Sequence, residues 1–342
     1  MRVQAFAAHE AGAPLRPYEY ESGPLGPTEV DVRVTHGGVC HTDVGVIDDE
    51  FGLSRYPVVA GHEAIGVVHA VGEAVGGSLR IGQRVGVGAI AGSCFTCEWC
   101  LDGRTNLCPA RDDTVVRGDR GAFAGHVRAS DWRHVHPIPD AIPSAQAAPL
   151  LCAGTTVFSP LLVNGVLPTH RVAVVGIGGL GHLAIQFLAA WGCEVTAIST
   201  TPAKRADAER FGATGFIASG ERGALDRAAG SFDFVLCTVS ANLPWDDYVG
   251  LLRPEGTLCV VGVPDQPIAL GPMSLLPTAK RVVGGIVGSA AHTRRMLGFA
   301  ARHDIRPEVE TFPVAEFDRA LDRVRRGSAR YRAVVEFEGH DL

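Results

Sequence analysis

From residue 1 to about residue 135, apolar and polar positions alternate over short runs such as Val30-Asp31-Val32-Arg33-Val34 and Ala64-Ile65-Gly66-Val67-Val68. Gly or Pro interrupts them roughly every 8 to 12 residues. A period of two buries one face of a strand, so this stretch predicts an antiparallel β domain with few helices. After Pro143 the texture changes. Helical spacing covers 144–162, 180–191, 203–211 and the region near 245–252, and short apolar runs predict strands at 171–175, 194–199, 232–238, 257–263 and 281–287. Strands alternating with helices predict a parallel sheet with crossover helices. The chain then returns to mixed texture, with helices near 293–303 and 315–326 and a closing strand at 333–337. That strand is too short to stand alone and is expected to rejoin the first domain's sheet. The expected division is therefore 1–152 with 288–342 against 153–287.

Composition narrows the class. At roughly 100 to 200 residues per domain, 342 residues suit two domains. The 46% hydrophobic content supplies two cores and excludes disorder or a small stapled scaffold. With 31 basic and 37 acidic residues, net −6, and no polybasic block, no nucleic-acid partner is expected. The 42 glycines exceed an average share of roughly 7% and fit tight turns where backbone approaches a ligand closely. Residues 172–192 are almost free of polar side chains, with only His182 and Gln186, but their glycines read as strand, turn and helix, so no membrane partner is expected either. Residues 1–10 hold one Arg and a short apolar run ended by His9 and Glu10, unlike a secretory leader. The cytoplasm is the expected location.

Four of the nine cysteines form Cys94-x2-Cys97-x2-Cys100-x7-Cys108, one short loop rather than a spread disulfide framework. Four thiolates close a tetrahedral Zn²⁺ shell with no position for water, so this site reads as structural. An iron–sulfur run also opens with x2 gaps but continues with x3 and Cys-Pro. Only Pro109 is shared with that pattern, and zinc is favoured. Three more candidate ligands stand apart: Cys40 in Gly38-Val39-Cys40-His41-Thr42-Asp43, His62 in Gly61-His62-Glu63, and Cys152 in Leu150-Leu151-Cys152-Ala153-Gly154. Two thiolates and one imidazole leave a fourth position open, as a catalytic zinc requires. Taken singly, such a Cys or His is more often a packed core residue. The carboxylates of Asp43 and Glu63 beside these residues change the balance, because a ligating His normally gives its second N–H to a carboxylate, here expected to be Asp43.

These segments, with Gly61-His62-Glu63-x2-Gly66-x5-Gly72-x2-Val75, resemble the zinc-containing alcohol dehydrogenases of the medium-chain dehydrogenase/reductase family. Leu150-Leu151-Cys152-Ala153-Gly154 and Tyr331-Arg332-Ala333-Val334 are similar to the cinnamyl alcohol dehydrogenase branch, which includes broad bacterial aldehyde reductases. The resemblance runs nearly end to end. It implies an α/β protein with a GroES-like β-rich catalytic domain plus a doubly wound Rossmann domain, two Zn²⁺ per chain, and a homodimer joined through nucleotide-domain strands near 257–263 and 281–287. It also implies Thr42 as the hydroxyl of a proton relay, Glu63 as a neighbouring or transient zinc ligand, and contacts to the cofactor from His41, Thr156, Val261, Val263 and Ile286. Val46, Phe51 and Val287 would line an apolar substrate pocket. Many relatives carry a histidine two positions after the Asp of this motif; here that position is Gly45, so the last proton hop is expected to run through water or ribose hydroxyls.

Val174-Val175-Gly176-Ile177-Gly178-Gly179-Leu180-Gly181 follows a predicted strand and opens a predicted helix, the context in which such glycines hold a pyrophosphate. An NAD enzyme needs an acidic residue about 20 positions on. This chain has Ser199, Thr200 and Thr201 there, followed by Lys204 and Arg205. Hydroxyls and a cation suit a 2′-phosphate, so NADP(H) is favoured, although the same residues would also cap a helix. The resulting expectation is hydride transfer between NADP(H) and a primary alcohol or aldehyde, aromatic or aliphatic. A zinc-family reductase of an iminium or conjugated C=C acceptor stays open. Zinc-free quinone or enone reductases lack the ligands retained here, and a regulatory module would not need them all.

Overall fold

The computed structural model describes residues 1–77, 79–116, 118 and 120–337, so the last five positions of the expected 288–342 segment lie outside the described residues. The chain forms two compact units: Met1–Cys152 with Gly288–Ala301 and Arg306–Leu342, and Ala153–Val287 with Arg302–Ile305. In the first unit β1 (Arg2–Ala7) and β2 (Arg16–Glu21) form an antiparallel pair. The main sheet is built on β3 (Val30–Val39), which is buried along most of its length because partners flank it on both sides. β4 (Ala64–Val71) and then β5 (Arg84–Val87) continue the sheet antiparallel. After β6 (Ile90–Gly92) and its short partner β7 (Asp112–Asp113), β8 (His126–Ala129) pairs the first half of β3 and β9 (Val135–Pro137) pairs β5. Two short helices interrupt the strands: α1 (His41–Ile47) directly after β3, and α2 (Glu98–Leu101) in the cysteine-rich loop.

A helical run, α3 (Ser144–Pro149), a π turn at Leu150–Gly154 and α4 (Thr155–Val163), leads from the first unit into the second. By length and composition this 20-residue run could cross a membrane, but 78% of its apolar window is buried inside the protein, as in a core helix. The second unit holds β10 (Arg171–Val175), β11 (Glu194–Ser199), β12 (Gly215–Ala218), β13 (Phe232–Cys237), β14 (Leu252–Val260) and β15 (Arg281–Gly284). They lie in the order β12-β11-β10-β13-β14-β15, all parallel. This is a doubly wound sheet whose strand order reverses between β10 and β13, where such sheets bind ligands at the carboxyl ends of their strands. Crossovers include α5 (Gly181–Trp191), α6 (Arg205–Arg210) and α7 (Trp245–Gly250). The expected helix at 203–211 opens instead as a 3₁₀ turn, Pro202–Lys204, with Pro at its first position. Of the two strands expected to join a homodimer, β14 is paired on both sides and β15 lies at the edge of the sheet.

The last segment adds α8 (Ala290–Arg302), β16 (Val309–Pro313), α9 (Phe317–Arg325) and β17 (Arg332–Glu336), and β17 pairs antiparallel with β3. The α9 helix turns Phe317, Ala320 and Leu321 inward at helical spacing, and Phe317 meets Phe123 edge-on at 4.5 Å in the first unit's core.

Candidate functional site

Three strand ends meet at one corner of the first unit's sheet. β3 delivers Cys40, whose extended backbone (φ −116°, ψ 160°) ends the strand and begins α1. Gly37 faces Ala64 of β4, and the Gly38 N–H donates to the Glu63 carbonyl at 2.9 Å, which sets His62 and Glu63 beside Cys40. A Cβ on Gly38 would stand 2.0 Å from Glu63 Oε2, so only glycine leaves room for that carboxylate. β17 pairs Ala333 with Val39 and thereby brings Arg332 to the same corner. Cys152 arrives on the π turn, a local widening of the helix that recurs at functional positions.

The donor atoms of Cys40, His62, Glu63 and Cys152 all lie within 4.8 Å of one another. The two Sγ atoms are 4.0 Å apart, and His62 Nε2 is 3.1 Å from Cys152 Sγ. In a tetrahedral Zn²⁺ shell the donors stand roughly 3.5 to 4 Å apart, so the set fits this ion. Glu63 agrees with this: its Oε1 lies 4.0 Å from His62 Nε2, and its Oε2 is buried with no hydrogen-bond partner, so the carboxylate carries unsatisfied acceptor capacity beside the thiols. Asp43 locks the assembly from behind. Its carboxylate is 0% exposed, accepts from the Cys40 N–H at 2.9 Å and the Gly61 N–H at 2.9 Å, and sits 2.7 Å from His62 Nδ1. That contact points Nε2 at the thiols.

Charge in this pocket is balanced locally. The hydrogen bond between the thiols holds Cys40 well below the usual thiol range, helped against burial by the Arg332 charge, and pushes Cys152 well above it. Burial works to lower the His62 pKa, but the Asp43 carboxylate overrides it and raises the imidazole well above its ordinary value. Burial pushes Glu63 up to about 7 although Arg332 pulls it down. Arg332 forms an ion pair with Glu63 and places Nη1 3.9 Å from Cys40 Sγ. The sequence reading did not give this arginine a role. Its signal was a charged residue opening the apolar run Ala333-Val334-Val335.

The second cluster is the expected one. Cys94, Cys97, Cys100 and Cys108 bring four Sγ atoms within 4.8 Å, and backbone N–H groups of Cys94 and Cys97 point at Cys108 and Cys94 sulfurs. Hydrogen bonds from Thr96 bring Cys94 down to about 5, while burial pushes Cys100 up to about 12. All nine cysteines are free of disulfides. Four thiols this close fit Zn²⁺ with no open position.

In the second unit the segment after β10 turns on Gly176, whose φ of +89° favours glycine, and a Cβ on Gly181 would stand 1.8 Å from the Gly176 carbonyl oxygen. The turn runs through Gly178, Gly179 and Leu180 into α5, with Leu180 at its N-cap. Ser199 ends β11, and Thr200 and Thr201 are exposed. Thr201 makes no side-chain cap bond to the following turn, so capping does not occupy its hydroxyl. Lys204 Nζ donates to the Ile177 carbonyl at 2.7 Å.

The remaining sequence-derived positions divide between the units. Thr42 is half-buried with Oγ1 3.9 Å from Cys40 Sγ, and His41 is exposed at the start of α1. Phe51 is 38% exposed, but Val46, at 2%, belongs to the first unit's packed core and presents no surface to a ligand. A Cβ at Gly45 would meet the Phe51 ring and Glu50 at 3.0 Å, so these side chains occupy the space a histidine there would need. Thr156, Val261, Val263, Ile286 and Val287 lie in the second unit, with Val261 buried, Thr156 and Val287 half-buried, and Val263 and Ile286 exposed.

A doubly wound sheet with a glycine turn, joined in one chain to a β unit holding two metal-ligand clusters, defines a metal-dependent nucleotide-binding oxidoreductase. Residues 26–140 match the alcohol dehydrogenase GroES-like domain, and residues 179–302 match the zinc-binding dehydrogenase family. An aldehyde reductase of Synechocystis sp. is 43% identical over 97% of this chain and 98% of its own. An NADP-dependent alcohol dehydrogenase of Mycolicibacterium smegmatis is 38% identical over 98% and 97%. The structure of a cinnamyl alcohol dehydrogenase from Sorghum bicolor superposes with a TM-score of 0.94 at 37% identity, covering 99% of this chain and 98% of that one. The chain belongs to the zinc-containing alcohol dehydrogenases, in their cinnamyl alcohol dehydrogenase-like branch.

Proposed function

We propose that this protein is a zinc-dependent alcohol dehydrogenase and aldehyde reductase that transfers hydride between NADP(H) and a primary alcohol or aldehyde. The observation that carries the reading is the donor set Cys40, His62, Glu63 and Cys152 with Asp43 fixed behind the imidazole. When bound, zinc supplies a Lewis acid for the substrate oxygen and the nicotinamide gives or takes the hydride. Cys40, His62 and Cys152 hold the metal, and Asp43 fixes both the His62 ring and the Cys40 backbone. Arg332 pairs with Glu63 and holds it to one side, next to the ligands. Thr42, beside Cys40, is the hydroxyl that passes a proton between substrate and solvent. With Gly45 in the next turn, the proton leaves through water or ribose hydroxyls. The Gly176–Gly181 turn takes the pyrophosphate, and Ser199, Thr200 and Lys204 take the 2′-phosphate, with no carboxylate among them to repel it. The apolar, partly exposed Phe51 of the first unit supports an aromatic or aliphatic aldehyde.

A homodimer through β15 is part of this proposal. Support comes from its position as an edge strand and from the exposed Met273 and Leu276 in the segment before it. Sedimentation of the purified protein would show a species near twice 36.0 kDa. We also place the protein in the cytoplasm, which suits a loop of four free thiols. The deciding experiment assays a panel of aldehydes and alcohols with NADPH and NADH, before and after chelation, alongside metal analysis. Two zinc ions per chain and NADPH-dependent turnover lost on chelation are expected. Equal turnover by metal-free protein would refute the zinc assignment, and equal rates with both cofactors would refute the phosphate assignment.

A further inference from the structure

The four carbonyl groups at 175–178 are held by donors from three separate segments. Thr238, just past β13, donates its backbone N–H to the Val175 oxygen at 3.0 Å, and its single hydroxyl proton is shared between that oxygen at 2.9 Å and the Gly176 oxygen at 3.2 Å. Lys204, in the turn after β11, donates its amine to the Ile177 oxygen at 2.7 Å. In α5, His182 meets the Gly178 oxygen with its backbone N–H at 3.1 Å and with Nδ1 at 3.0 Å. Four consecutive carbonyls, 175–178, are therefore tied down. On the side where a Gly178 Cβ would project there is no atom within 4 Å.

The consequence is electrostatic. A peptide carbonyl swung toward a bound pyrophosphate would repel it, whereas carbonyls fixed away from it leave the turn to present N–H groups. A lysine amine on one of these oxygens also places a positive charge against the turn itself, not only beside the ribose. We propose that Lys204 and Thr238 are positioning residues for the pyrophosphate: they hold the 175–178 carbonyls back, and Lys204 thus supports binding of NADH as well as NADPH. This rests on the nucleotide reading above and extends it. A lysine that served the 2′-phosphate alone would be silent toward NADH. Thr238, just past the neighbouring strand β13, provides a second and independent handle on the same turn.

The test is calorimetric titration of the zinc-loaded protein and its Lys204→Met, Thr238→Val and Thr238→Ser variants with NADPH, NADH and adenosine 2′-monophosphate, which has no 5′-phosphate to enter the turn. Lys204→Met should weaken NADH about five- to tenfold, and NADPH more strongly, since the 2′-phosphate contact is lost too; the monophosphate is weakened through that contact alone. Thr238→Val should weaken NADPH and NADH by the same factor, about fivefold, leave the monophosphate unchanged, and raise the cofactor KM with little effect on kcat. Thr238→Ser should restore affinity. Unchanged NADH affinity in Lys204→Met would overturn the proposal, as would a Thr238→Val variant that loses monophosphate binding in step with NADH, because that pattern signals general unfolding of the unit. Failure of the parent protein to bind NADPH at all would instead remove the nucleotide reading on which the proposal stands.

Discussion

Replacing Asp43 with Asn isolates what the buried carboxylate does, because the two side chains have nearly the same shape. Asp43 Oδ2 accepts from the Cys40 N–H, and Oδ1 accepts from the Gly61 N–H beside the His62 Nδ1 contact. An amide has one accepting oxygen and one NH₂ group. Kept toward Gly61 and His62, its oxygen leaves the NH₂ facing the Cys40 N–H, donor against donor. Turned the other way, it faces two donors wrongly, which is worse. The better orientation still strands one buried N–H, at about 1 to 3 kcal/mol, and weakens a charge-assisted bond to the imidazole. A loss of about 2 to 4 kcal/mol in urea unfolding of the zinc-free protein follows. Losing such a partner behind a ligating histidine costs roughly 10- to 100-fold in metal affinity. Competition with a chromogenic chelator should therefore strip one zinc from Asp43→Asn under conditions where the parent keeps two. An Asp43→Asn protein that retained both ions at parental affinity and unfolded at the parental urea midpoint would refute the clamp.

Arg332→Met leaves Glu63 buried without its counter-charge and should cost about 3 to 5 kcal/mol in urea unfolding, while Arg332→Met with Glu63→Gln recovers part of it; additive losses would refute the coupling. Cys97→Ser opens the four-thiol shell and should release one zinc and lower the melting temperature while the Cys40 site still binds metal, as metal analysis and calorimetry would show; loss of both ions would contradict separate sites. Acid should destabilise the fold through two buried histidines. Burial, then the Arg294 and Arg133 charges, lowers His134 to about 4, and burial, then the His134 and Arg294 charges, lowers His136 to about 3. Above pH 6.5 both are neutral in folded and unfolded chains, but below it only the unfolded chain gains protons, so stability falls until the folded values are reached. Each then costs about 2 kcal/mol at pH 5, and His136→Leu should flatten the stability profile between pH 7 and 5 by that amount relative to the parent. A variant whose profile ran parallel to the parent's would refute the assignment.

Local pattern was the more legible part of this protein. β10 and β11 keep their expected bounds, because buried apolar residues fill β10 after Arg171 and anchor β11 at Val195, Ala197 and Ile198. The strand expected at 281–287 stops at Gly284, where a Gly-Gly pair gives the sheet nothing to pack. Spacing alone marked the four-thiol loop, since all its donors lie within one turn-rich segment. The other donor set needed the resemblance to a family, because Cys40 and Cys152 are 112 positions apart and no local pattern joins them. Arg332 was hidden for the same reason: its partners come from β3 and the start of β4, and only sheet register makes them neighbours. Thr238 looks like an ordinary loop residue, and Lys204 like a partner for the 2′-phosphate alone, until the carbonyls they hold are seen.

Register is therefore where the chemistry of this site is specified. In a strand, a slip of one residue turns every side chain to the opposite face. A slip between β3 and β4 would take His62 away from Asp43, and one between β3 and β17 would take Arg332 away from Glu63. Both pairings are fixed on β3 itself, through Gly37 opposite Ala64 and Val39 opposite Ala333. The close fit of Glu63 against Gly38 adds a steric check, because any residue with a Cβ brought to that position collides with the carboxylate. The same strand thus orients the ligand Cys40, admits the carboxylate beside it and receives the arginine that balances both. Metal affinity, fold stability and the charge state of Glu63 consequently depend on one another, and a perturbation of any of them should register in the other two.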